Sequence, residues 1–409
     1  MLPTGWREAA LAEVATLSSG GTPKAKNPAY YDGDIPWAII GDLNDGVVRS
    51  TAQSITQRGL DNSSAKVVPV NTILLGMYGS IGKLGLAGIR LATNQAIATI
   101  RAGDQVDHRY LFYYLLAQRR DLDHQGKGAA QRNISQTVLK PWPIRFPSDL
   151  DEQRQIVGLL DDHLSRLDAS DAYVRAGLAR AQVWYAKVID QLVWSPENPH
   201  REVRSLLREP MRNGRSDRAV QDSEGGTRTL TLTAVTRNSF IDEHTKLTTT
   251  TRDRAVGLWL EPGDILVQRS NTPELVGTSA RFDGPRDWAI FPDLLIRLRA
   301  DESLVDSRFL SAALRSKRGH VQLRRRAKGA AGSMPKIDQE AVGSVLIPLP
   351  SGRDQRRIVA QVAAADTGLR QLRAELDAVQ LRSAALRRSL LAAAFSDRLS
   401  EASAQTATA

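Results

Sequence analysis

The chain has 409 residues, 42% of them hydrophobic and 24% charged, so it is long enough for more than one domain of ordinary globular composition. Its net charge of +10 and pI of about 9.9 favour a polyanionic partner, with nucleic acid ahead of a membrane surface. The absence of cysteine excludes disulfides, thiolate catalysis and cysteine-based zinc sites.

Residues 1–148 predict a globular α+β domain. Short β-branched runs at 35–40, 72–75 and 96–100 alternate with Gly, Pro, Asn and Asp, which is the pattern of strands joined by turns, and a helix is predicted over 109–119. The N-terminal residues show no signal-peptide pattern, and no apolar run in the chain approaches the ~20 residues that span a bilayer. We therefore expect a cytoplasmic protein that makes no membrane contact.

A long helix is predicted over residues 149–195. From Glu152 to Trp194 there is no proline, and apolar residues recur at alternating steps of three and four with Asp171 as the one polar interruption. Only a 3.5-residue period keeps one seam facing a partner helix, so this spacing indicates a coiled coil. An amphipathic helix lying on a globular core would show a wider apolar stripe. The predicted seam contains Leu160, Leu167, Val174 and Leu178.

The second half of the chain repeats the first. Lys127-Gly128-Ala129-Ala130 returns 201 positions later as Lys328-Gly329-Ala330-Ala331, and the hexapeptide 152–157 returns 202 positions later at 354–359. Residues 71–75 match 263–267 after 192 positions, and 109–111 match 308–310 after 199. The drifting offset indicates duplicated globular domains with loops of different length, since a solenoid would have a shorter and stricter period. A second α+β domain is therefore predicted over 196–350.

A second long helix is predicted over residues 351–398. Its seam contains Val362, Leu369, Leu372 and Leu376, and Ser383 interrupts it. Because the two helices belong to duplicated halves, we expect them to pair with each other in antiparallel orientation. The predicted fold class is α+β, with two similar globular domains separated by two long helices that pair as an antiparallel coiled coil in a pseudo-two-fold internal repeat. Residues 399–409 are small and polar and predict a disordered tail.

Three patterns resemble catalytic or metal sites but lack necessary parts. Asn27-Pro28-Ala29-Tyr30 is similar to the Asn-Pro-Pro-Tyr of amino-methyltransferases, yet no Gly-rich cofactor loop precedes it. The segment 79–83, Gly-Ser-Ile-Gly-Lys, has neither the spacing of a Walker A loop nor the Ser or Thr that follows its lysine. The six histidines show no pairing typical of metal ligands. The sequence therefore predicts no enzyme and no catalytic, cofactor or metal site.

Basic, glycine-rich loops are the stronger signal for binding. Glycine allows close approach of backbone to phosphate, cations neutralise phosphates, and Arg, Gln and Asn can contact base edges. In the first half the candidate DNA contacts are Thr22, Lys24, Lys26, Tyr78, Ser80, Lys83, Lys127, Gln131, Arg132, Asn133 and Ser135. In the second half they are Arg212, Arg215, Arg269, Asn271, Arg325, Lys328 and Ser333. Recurrence in both halves favours binding by the Lys-Gly-Ala-Ala loops, while the other clusters are equally consistent with solvated loops.

Several motifs of the first half resemble the specificity (S) subunit of Type I restriction–modification systems. They are Ser-Gly-Gly-Thr-Pro at 19–23, Tyr-Asp-Gly-Asp-Ile-Pro-Trp at 31–37, the segment 79–83, Asn94-Gln95, Asn133-Ile134, and Glu-Gln-Arg-Gln-Ile-Val at 152–157. The second half keeps the helix start Asp354-Gln355 but has no Gly-Gly-Thr-Pro and no Gly-Asp-Ile-Pro-Trp. Its globular part is therefore expected to be a more divergent member.

The resemblance implies two target-recognition domains, 1–148 and 196–350, each binding one half of a bipartite double-stranded DNA sequence, with the two helices between them as a ruler. It implies two methyltransferase (M) and two restriction (R) subunits as partners, which this chain would direct to methylate adenine and to cut DNA. S-adenosylmethionine, ATP and Mg²⁺ would belong to those partners. Because the globular parts differ, the DNA site is expected to be asymmetric.

Two alternatives belong to other functional classes. A structural coiled-coil adaptor would bind protein through its globular ends, and it would show no salt-dependent duplex binding. A fused restriction–methylation enzyme would require catalytic motifs for which 409 residues leave no room.

Overall fold

The structure is a computed structural model that describes residues 2–127, 132–221, 226–329 and 334–395. It divides into two compact units, called unit 1 (Met1–Val174 and Ala378–Ala409) and unit 2 (Arg175–Asp377). The boundaries between these units fall inside the two long helices, whereas the predicted domain ranges place the boundaries at the helix ends. The predicted disordered tail, 399–409, lies outside the described residues.

Unit 1 is built on two mixed sheets. Its strands are β1 (Trp6–Ala10), β2 (Ala15–Ser19), β3 (Tyr31–Ala38), β4 (Val47–Val48), β5 (Gln53–Ile55), β6 (Val67–Val68), β7 (Ile73–Gly76), β8 (Leu84–Ala87), β9 (Leu91–Thr93), β10 (Ile97–Ala102) and β11 (Pro143–Pro147). One sheet has the order β2-β10-β7-β8-β4, the other has the order β5-β3-β9-β6, and β1 pairs with β11. The helices are α1 (Leu11–Val14), α2 (Gln57–Asp61), α3 (His108–Ala117), α4 (Arg119–His124), α5 (Gln136–Leu139) and the first part of α6 (Leu150–Val193).

Unit 2 has fewer strands in the residues described. They are β12 (His200–Glu202), β13 (Arg212–Asn213), β14 (Thr227–Leu230), β15 (Thr245–Thr248), β16 (Ile265–Gln268), β17 (Ser279–Arg281), β18 (Leu295–Leu298) and β19 (Leu346–Pro348). The main sheet has the order β13-β18-β16-β17, while β12 pairs with β19 and β14 pairs with β15. The helices are the end of α6, then α7 (Leu232–Thr236), α8 (Ser307–Arg315), α9 (Lys317–Arg326), α10 (Gln339–Gly343) and the first part of α11 (Gly352–Ala394).

The two units share one arrangement of strands. The order β2-β10-β7-β8 of unit 1 recurs as β13-β18-β16-β17 in unit 2, and the antiparallel pair β1–β11 recurs as β12–β19. The strands β7 and β16 are buried along their whole length, which explains the apolar runs at 73–75 and 265–267. Residues with positive φ precede both strands, Asn71 at +64° and Gly263 at +100°, so the turn recurs as well. The predicted duplication of an α+β unit is confirmed.

The units differ at the margins of this shared arrangement. In unit 1 the main sheet gains β4, and four strands form the second sheet. In unit 2 only β14 and β15 are assigned to a second sheet within the described residues. The two units therefore differ in one added edge strand and in the size of their second sheet.

The long helices pair in antiparallel orientation within each unit. In unit 1 the start of α6 packs in one core with the end of α11, through Leu160 and Leu391. In unit 2 the end of α6 packs with the start of α11, through Ile189 and Val362. Of the predicted seam residues, Leu160, Val174 and Val362 are buried, Leu167, Leu178, Leu369 and Leu376 are half-buried, and Leu372 is 37% exposed.

Among the described residues, none of the helices has the length and apolar character needed to span a membrane.

A buried glutamine fastens the start of each long helix. The Gln153 carbonyl accepts from the main-chain N–H of Asp107 at 2.8 Å, and its amide donates to the carbonyls of Gln105 at 3.0 Å and Pro147 at 2.8 Å. In unit 2, Gln355 bonds in the same way to the N–H of Asp306 at 2.8 Å and to the carbonyls of Leu304 at 3.3 Å and Pro350 at 3.0 Å. Since Asp107 and Asp306 are the N-cap residues of α3 and α8, each glutamine joins three segments of its unit.

A carboxylate on each long helix holds a second group of contacts. In unit 1, Asp161 accepts from Arg109 and from the Tyr113 hydroxyl, each at 2.6 Å. In unit 2, Asp366 accepts from Arg315 at 2.7 Å and from the hydroxyl of Tyr185. Burial raises the pKa of Tyr113, and the hydrogen bond to Asp161 raises it further, so the hydroxyl stays protonated and remains a donor. These contacts orient α3 and α8 against the helix pair.

Candidate nucleic-acid interface

The predicted contact loop of unit 1 is closed by its own main chain. Lys127 and Asn133 exchange two N–H to carbonyl hydrogen bonds, each 2.9 Å long. The next residue, Ile134, donates its N–H to the carbonyl of Met77 at 2.9 Å, and Asn133 forms a bridge with Tyr78. The structure thus brings together two candidate clusters that the sequence separates by about fifty residues, the Lys-Gly-Ala-Ala loop and the turn after β7.

Unit 2 closes its loop in the same way. Lys328 and Lys336 exchange two main-chain hydrogen bonds of 2.8 Å, Ile337 donates its N–H to the carbonyl of Arg269 at 2.8 Å, and Ser270 forms the bridge with Lys336. The middle of each loop, 128–131 and 330–333, lies outside the described residues, and the candidates Gln131 and Ser333 lie there. The same loop closure at matched positions is the strongest geometric likeness between the candidate contacts of the two units.

The basic side chains of these loops differ in their exposure and in their bonds to other residues of the protein. Arg132 donates to the Asp123 carboxylate at 3.0 Å and also contacts the Asp123 carbonyl, which ties the loop to α4. Lys328 is 84% exposed and lies 3.7 Å from the Asp338 carboxylate, a pair that solvent screens strongly. Lys127, Ser135 and Arg325 are exposed. Arg132 must leave Asp123 before it can contact a base, whereas the lysines are already accessible to phosphate.

The motifs around Thr22 mainly stabilise one another. The Trp37 indole N–H donates to the Gly21 carbonyl at 3.0 Å, and the Tyr31 hydroxyl donates to the Pro23 carbonyl at 2.7 Å. The Ser-Gly-Gly-Thr-Pro and Gly-Asp-Ile-Pro-Trp segments therefore pack together. They position Thr22, whose hydroxyl contacts Gln95, and the exposed side chains of Lys24 and Lys26.

The segment 79–83 forms the turn between β7 and β8. Gly79 and Gly82 have φ values of +69° and +73°, which glycine adopts without strain. The Lys83 ammonium donates to the Ile40 carbonyl at 3.3 Å and the Arg119 guanidinium donates to the Gly82 carbonyl at 2.7 Å, whereas Ser80 is exposed. This turn holds Tyr78 beside the contact loop, and its lysine is bonded to the protein.

Two of the remaining candidates in unit 2 also have internal partners. Arg215 donates to the Asp217 carboxylate at 2.7 Å, and this hydrogen bond lowers the pKa of Asp217. The Asn271 side-chain amide donates to the side-chain carbonyl of Gln268 at 2.7 Å. The side-chain carbonyl of Asn271 accepts from the main-chain N–H of Thr272. Arg212 is exposed on β13 and Arg269 is half-buried. Arg212 is therefore the most accessible of this group.

Positive charge is concentrated in unit 2. This unit carries 33 of the 55 Lys and Arg residues and 25 of the 45 Asp and Glu residues, so its formal charge is +8 of the total +10. A surplus of this size attracts phosphate and makes binding sensitive to salt. Within the described ranges, no cluster of three or more His, Asp or Glu side chains could hold a metal ion.

Sequence reasoning missed one group of side chains in unit 2. Arg228, Arg252 and Trp288 line a single cavity, although 60 positions separate the first from the last. No repeat and no family motif marks these residues, because the cavity is formed by segments that have no match in the first half.

Comparison with known proteins agrees with the fold of two related units joined by long helices. Residues 3–171 match a family model described as the Type I restriction modification DNA specificity domain. The Type I restriction enzyme StySPI specificity subunit of Salmonella potsdam is 25% identical over 426 residues, which cover 97% of this chain and 90% of that protein. The MjaIX specificity subunit of Methanocaldococcus jannaschii is 28% identical over 164 residues, which cover 39% of this chain and only 38% of that protein.

One solved structure supports the fold over the full length. It comes from work on complex assembly and conformational transition of the type I R-M system, and it superposes with a TM-score of 0.71. The aligned region covers 97% of this chain and 99% of that chain at 17% sequence identity. The architecture is therefore shared along the whole chain, including the half that the family model does not match.

Proposed function

Because the chain belongs to the family of Type I restriction–modification specificity subunits, which are not themselves catalytic, we propose that its two units each read one half of a bipartite DNA site. The observation that carries this proposal is the pair of closed basic loops, Lys127–Asn133 and Lys328–Lys336, held by matching hydrogen bonds in two related units. Two related DNA-binding units match a target with two half-sites, and their basic side chains can neutralise phosphates.

The DNA site that we propose is asymmetric. The loop closures match, but the side chains around them do not: Tyr78 stands in unit 1 where Ser270 stands in unit 2. Direct readout depends on individual side chains at base edges, so unlike surfaces select unlike half-sites. In this proposal the paired helices α6 and α11 set the number of unread base pairs between the two half-sites.

The partners in this proposal are two methyltransferase subunits and two restriction subunits. The chain directs the first to methylate adenine and the second to cut unmodified DNA. S-adenosylmethionine, ATP and Mg²⁺ belong to those subunits, and this chain supplies sequence recognition. Affinity combines a salt-sensitive phosphate component with a few base-edge contacts in each unit.

Replacement of residues 196–350 by the matching region of another specificity subunit is expected to change one half-site and leave the other as it was. The reason is that β12–β19 and their loops lie wholly in unit 2. The chimera and the original chain are each co-expressed with the methyltransferase subunit, and methylated adenines are mapped across the host genome. A control chimera exchanges residues 1–148. A change in both half-sites from either exchange would contradict independent reading by the two units.

Removal of one loop cation is expected to reduce the salt dependence of DNA binding. For each of Lys127→Ala and Lys328→Ala, the slope of log K against log salt should become less steep by about 0.9, the value for one phosphate contact on duplex DNA. The measurement is fluorescence anisotropy of a labelled cognate duplex, with the chain in complex with its methyltransferase subunits. Lys187→Ala, at an exposed position on α6, is the matched control and should leave the slope unchanged. Equal slopes for all three variants would remove these lysines from the DNA interface.

A further inference from the structure

Unit 2 contains a cavity whose lining combines two indoles with two guanidinium groups. Its volume is about 540 Å³, within the range of small-molecule sites, and Arg228, Arg252, Trp259 and Trp288 line it together with Asp287. None of these residues belongs to the closed basic loop or to a motif shared between the halves. The cavity is therefore a second feature of unit 2 that its role as a sequence reader leaves unexplained.

One wall of this cavity is a layered stack. The ring of Phe282 lies 6.2 Å from that of Trp288 at an interplanar angle of 21°, and the Arg228 guanidinium lies 4.9 Å from the Trp288 ring centroid. Phe282 is fully buried, so the stack is anchored in the core. Arg228 is also paired with Asp242, whose side chain is 76% exposed. The stack thus presents a planar cation, backed by an indole, toward the cavity.

A second cation in the lining has no partner among the residues that the structure describes. The exposed Arg252 side chain forms no hydrogen bond and no ion pair there, although it shares the cavity with Trp259 and Trp288. A planar stacking surface beside an unpaired guanidinium matches the two parts of a nucleotide, since guanidinium and indole planes stack on bases and arginine binds phosphate.

The stacking surface selects an unpaired base and excludes one inside a duplex. In a duplex the faces of the bases are covered by their neighbours, and only their edges are open in the grooves. The cavity over the second sheet of unit 1 makes a useful contrast. Its volume is about 420 Å³, and it is lined by Asp32, Asp34 and Arg49 without any aromatic ring. The nucleotide-like lining is thus a feature of the unit 2 cavity that this cavity of unit 1 does not share.

We propose that the cavity between Arg228, Arg252 and Trp288 binds one unpaired nucleotide of DNA, with its base on the Arg228–Trp288 stack and its phosphate at Arg252. The identification of the ligand as DNA rests on the function proposed above. Two sources share this chemistry: a base that has left the stack of the bound duplex, and a nucleotide of single-stranded DNA.

The test measures binding of a fluorescein-labelled deoxythymidine decamer to the full chain. Trp288→Ala should weaken binding about tenfold, the effect of losing one base-stacking contact of about 1.4 kcal/mol, because the Arg228 guanidinium loses the indole that holds it as a stacking plane. Trp288→Phe preserves a stacking plane and should restore most of the affinity. Arg252→Ala, at an exposed position where folding is not at risk, should weaken binding and make its salt dependence less steep. Trp184→Ala, at a 61% exposed position on α6, is the control and should bind as the original chain does.

A second arm separates the two sources of the nucleotide. The cognate duplex carries 2-aminopurine at successive positions of the half-site read by unit 2. A rise in fluorescence on binding that Trp288→Ala abolishes assigns the cavity to a base that leaves the duplex; loss of decamer binding without such a rise assigns it to single-stranded DNA. The inference is overturned if the original chain neither binds the decamer nor raises the fluorescence, or if Trp288→Ala and Arg252→Ala bind as the control does. Because binding of the unmodified cognate duplex is measured alongside, failure of the proposed function would appear separately.

Discussion

Replacement of Gln153 by methionine is expected to lower the free energy of unfolding of unit 1 by about 3–5 kcal/mol, because three hydrogen bonds are lost at a buried site. Methionine has a similar length but no amide, so the N–H of Asp107 and the carbonyls of Gln105 and Pro147 lose their partner. The side chain of Gln153 is fully buried, which leaves no room for water to replace it. Gln355→Met should destabilise unit 2 in the same way.

Hydrogen exchange of peptides from α3 and α8, followed through urea unfolding, reports on the two units separately. Gln153→Met should increase exchange in α3 before α8, and Gln355→Met should reverse that order. The matched control is Gln155→Met, at an exposed position two residues further along the same helix, which should change stability by less than about 0.5 kcal/mol. If Gln153→Met destabilised unit 1 no more than this control does, the three hydrogen bonds of Gln153 would not contribute to the stability of the unit.

Gly21→Ala is expected to destabilise the native packing of unit 1. A Cβ at this position would overlap the main-chain atoms of Ser64 and Ala65, which cannot move aside as the end of a flexible side chain can. The Gly21 carbonyl also accepts the indole N–H of Trp37, so any shift of the chain breaks a buried hydrogen bond. Overpacking of this kind typically costs 1–3 kcal/mol or more, and loss of the Trp37 bond adds about 1 kcal/mol.

The control for this variant is Gly158→Ala on the exposed face of α6. Nothing lies within 4 Å of a Cβ at Gly158, so alanine should stabilise the helix by about 0.5–1 kcal/mol through its higher helix propensity. Thermal unfolding monitored by Trp fluorescence distinguishes the two, with the midpoint falling for Gly21→Ala and rising for Gly158→Ala. Equal midpoints for both variants would show that the segment 19–23 adapts without strain.

The parts of the fold that could be predicted from the sequence depend on local periodicity. The three-and-four spacing of Leu160, Leu164 and Leu167 is sufficient for a long paired helix, and the apolar runs in β7 and β16 are sufficient for buried strands. The duplication added the expectation that both halves are built alike. The exposed position of Leu372 was not predicted, because the width of a seam depends on the partner helix and not on the spacing alone.

The candidate site was less predictable because it depends on contacts between distant segments. Lys83 is bonded to the carbonyl of Ile40, Arg132 to Asp123 and Asn271 to Gln268. A sequence marks such side chains as candidates for DNA contact, but it does not show that they are already bonded to other parts of the protein. Conversely, Arg228, Arg252 and Trp288 meet only after the strands of unit 2 have formed, and no local pattern relates them.

The division of the long helices between the units has a consequence for the order in which the two units fold during synthesis. Unit 2 is one continuous stretch, Arg175–Asp377, whereas unit 1 needs both the first residues of the chain and the segment that begins at Ala378. On the ribosome, unit 2 can therefore be completed first, while the earlier-synthesised residues of unit 1 wait for the C-terminus. The rings of Tyr110 and Tyr114 can contact Phe395, each at 5.3 Å, only after the chain has been synthesised as far as that residue. Translation products truncated before Ala378 would thus carry the residues of unit 2 but not all those of unit 1.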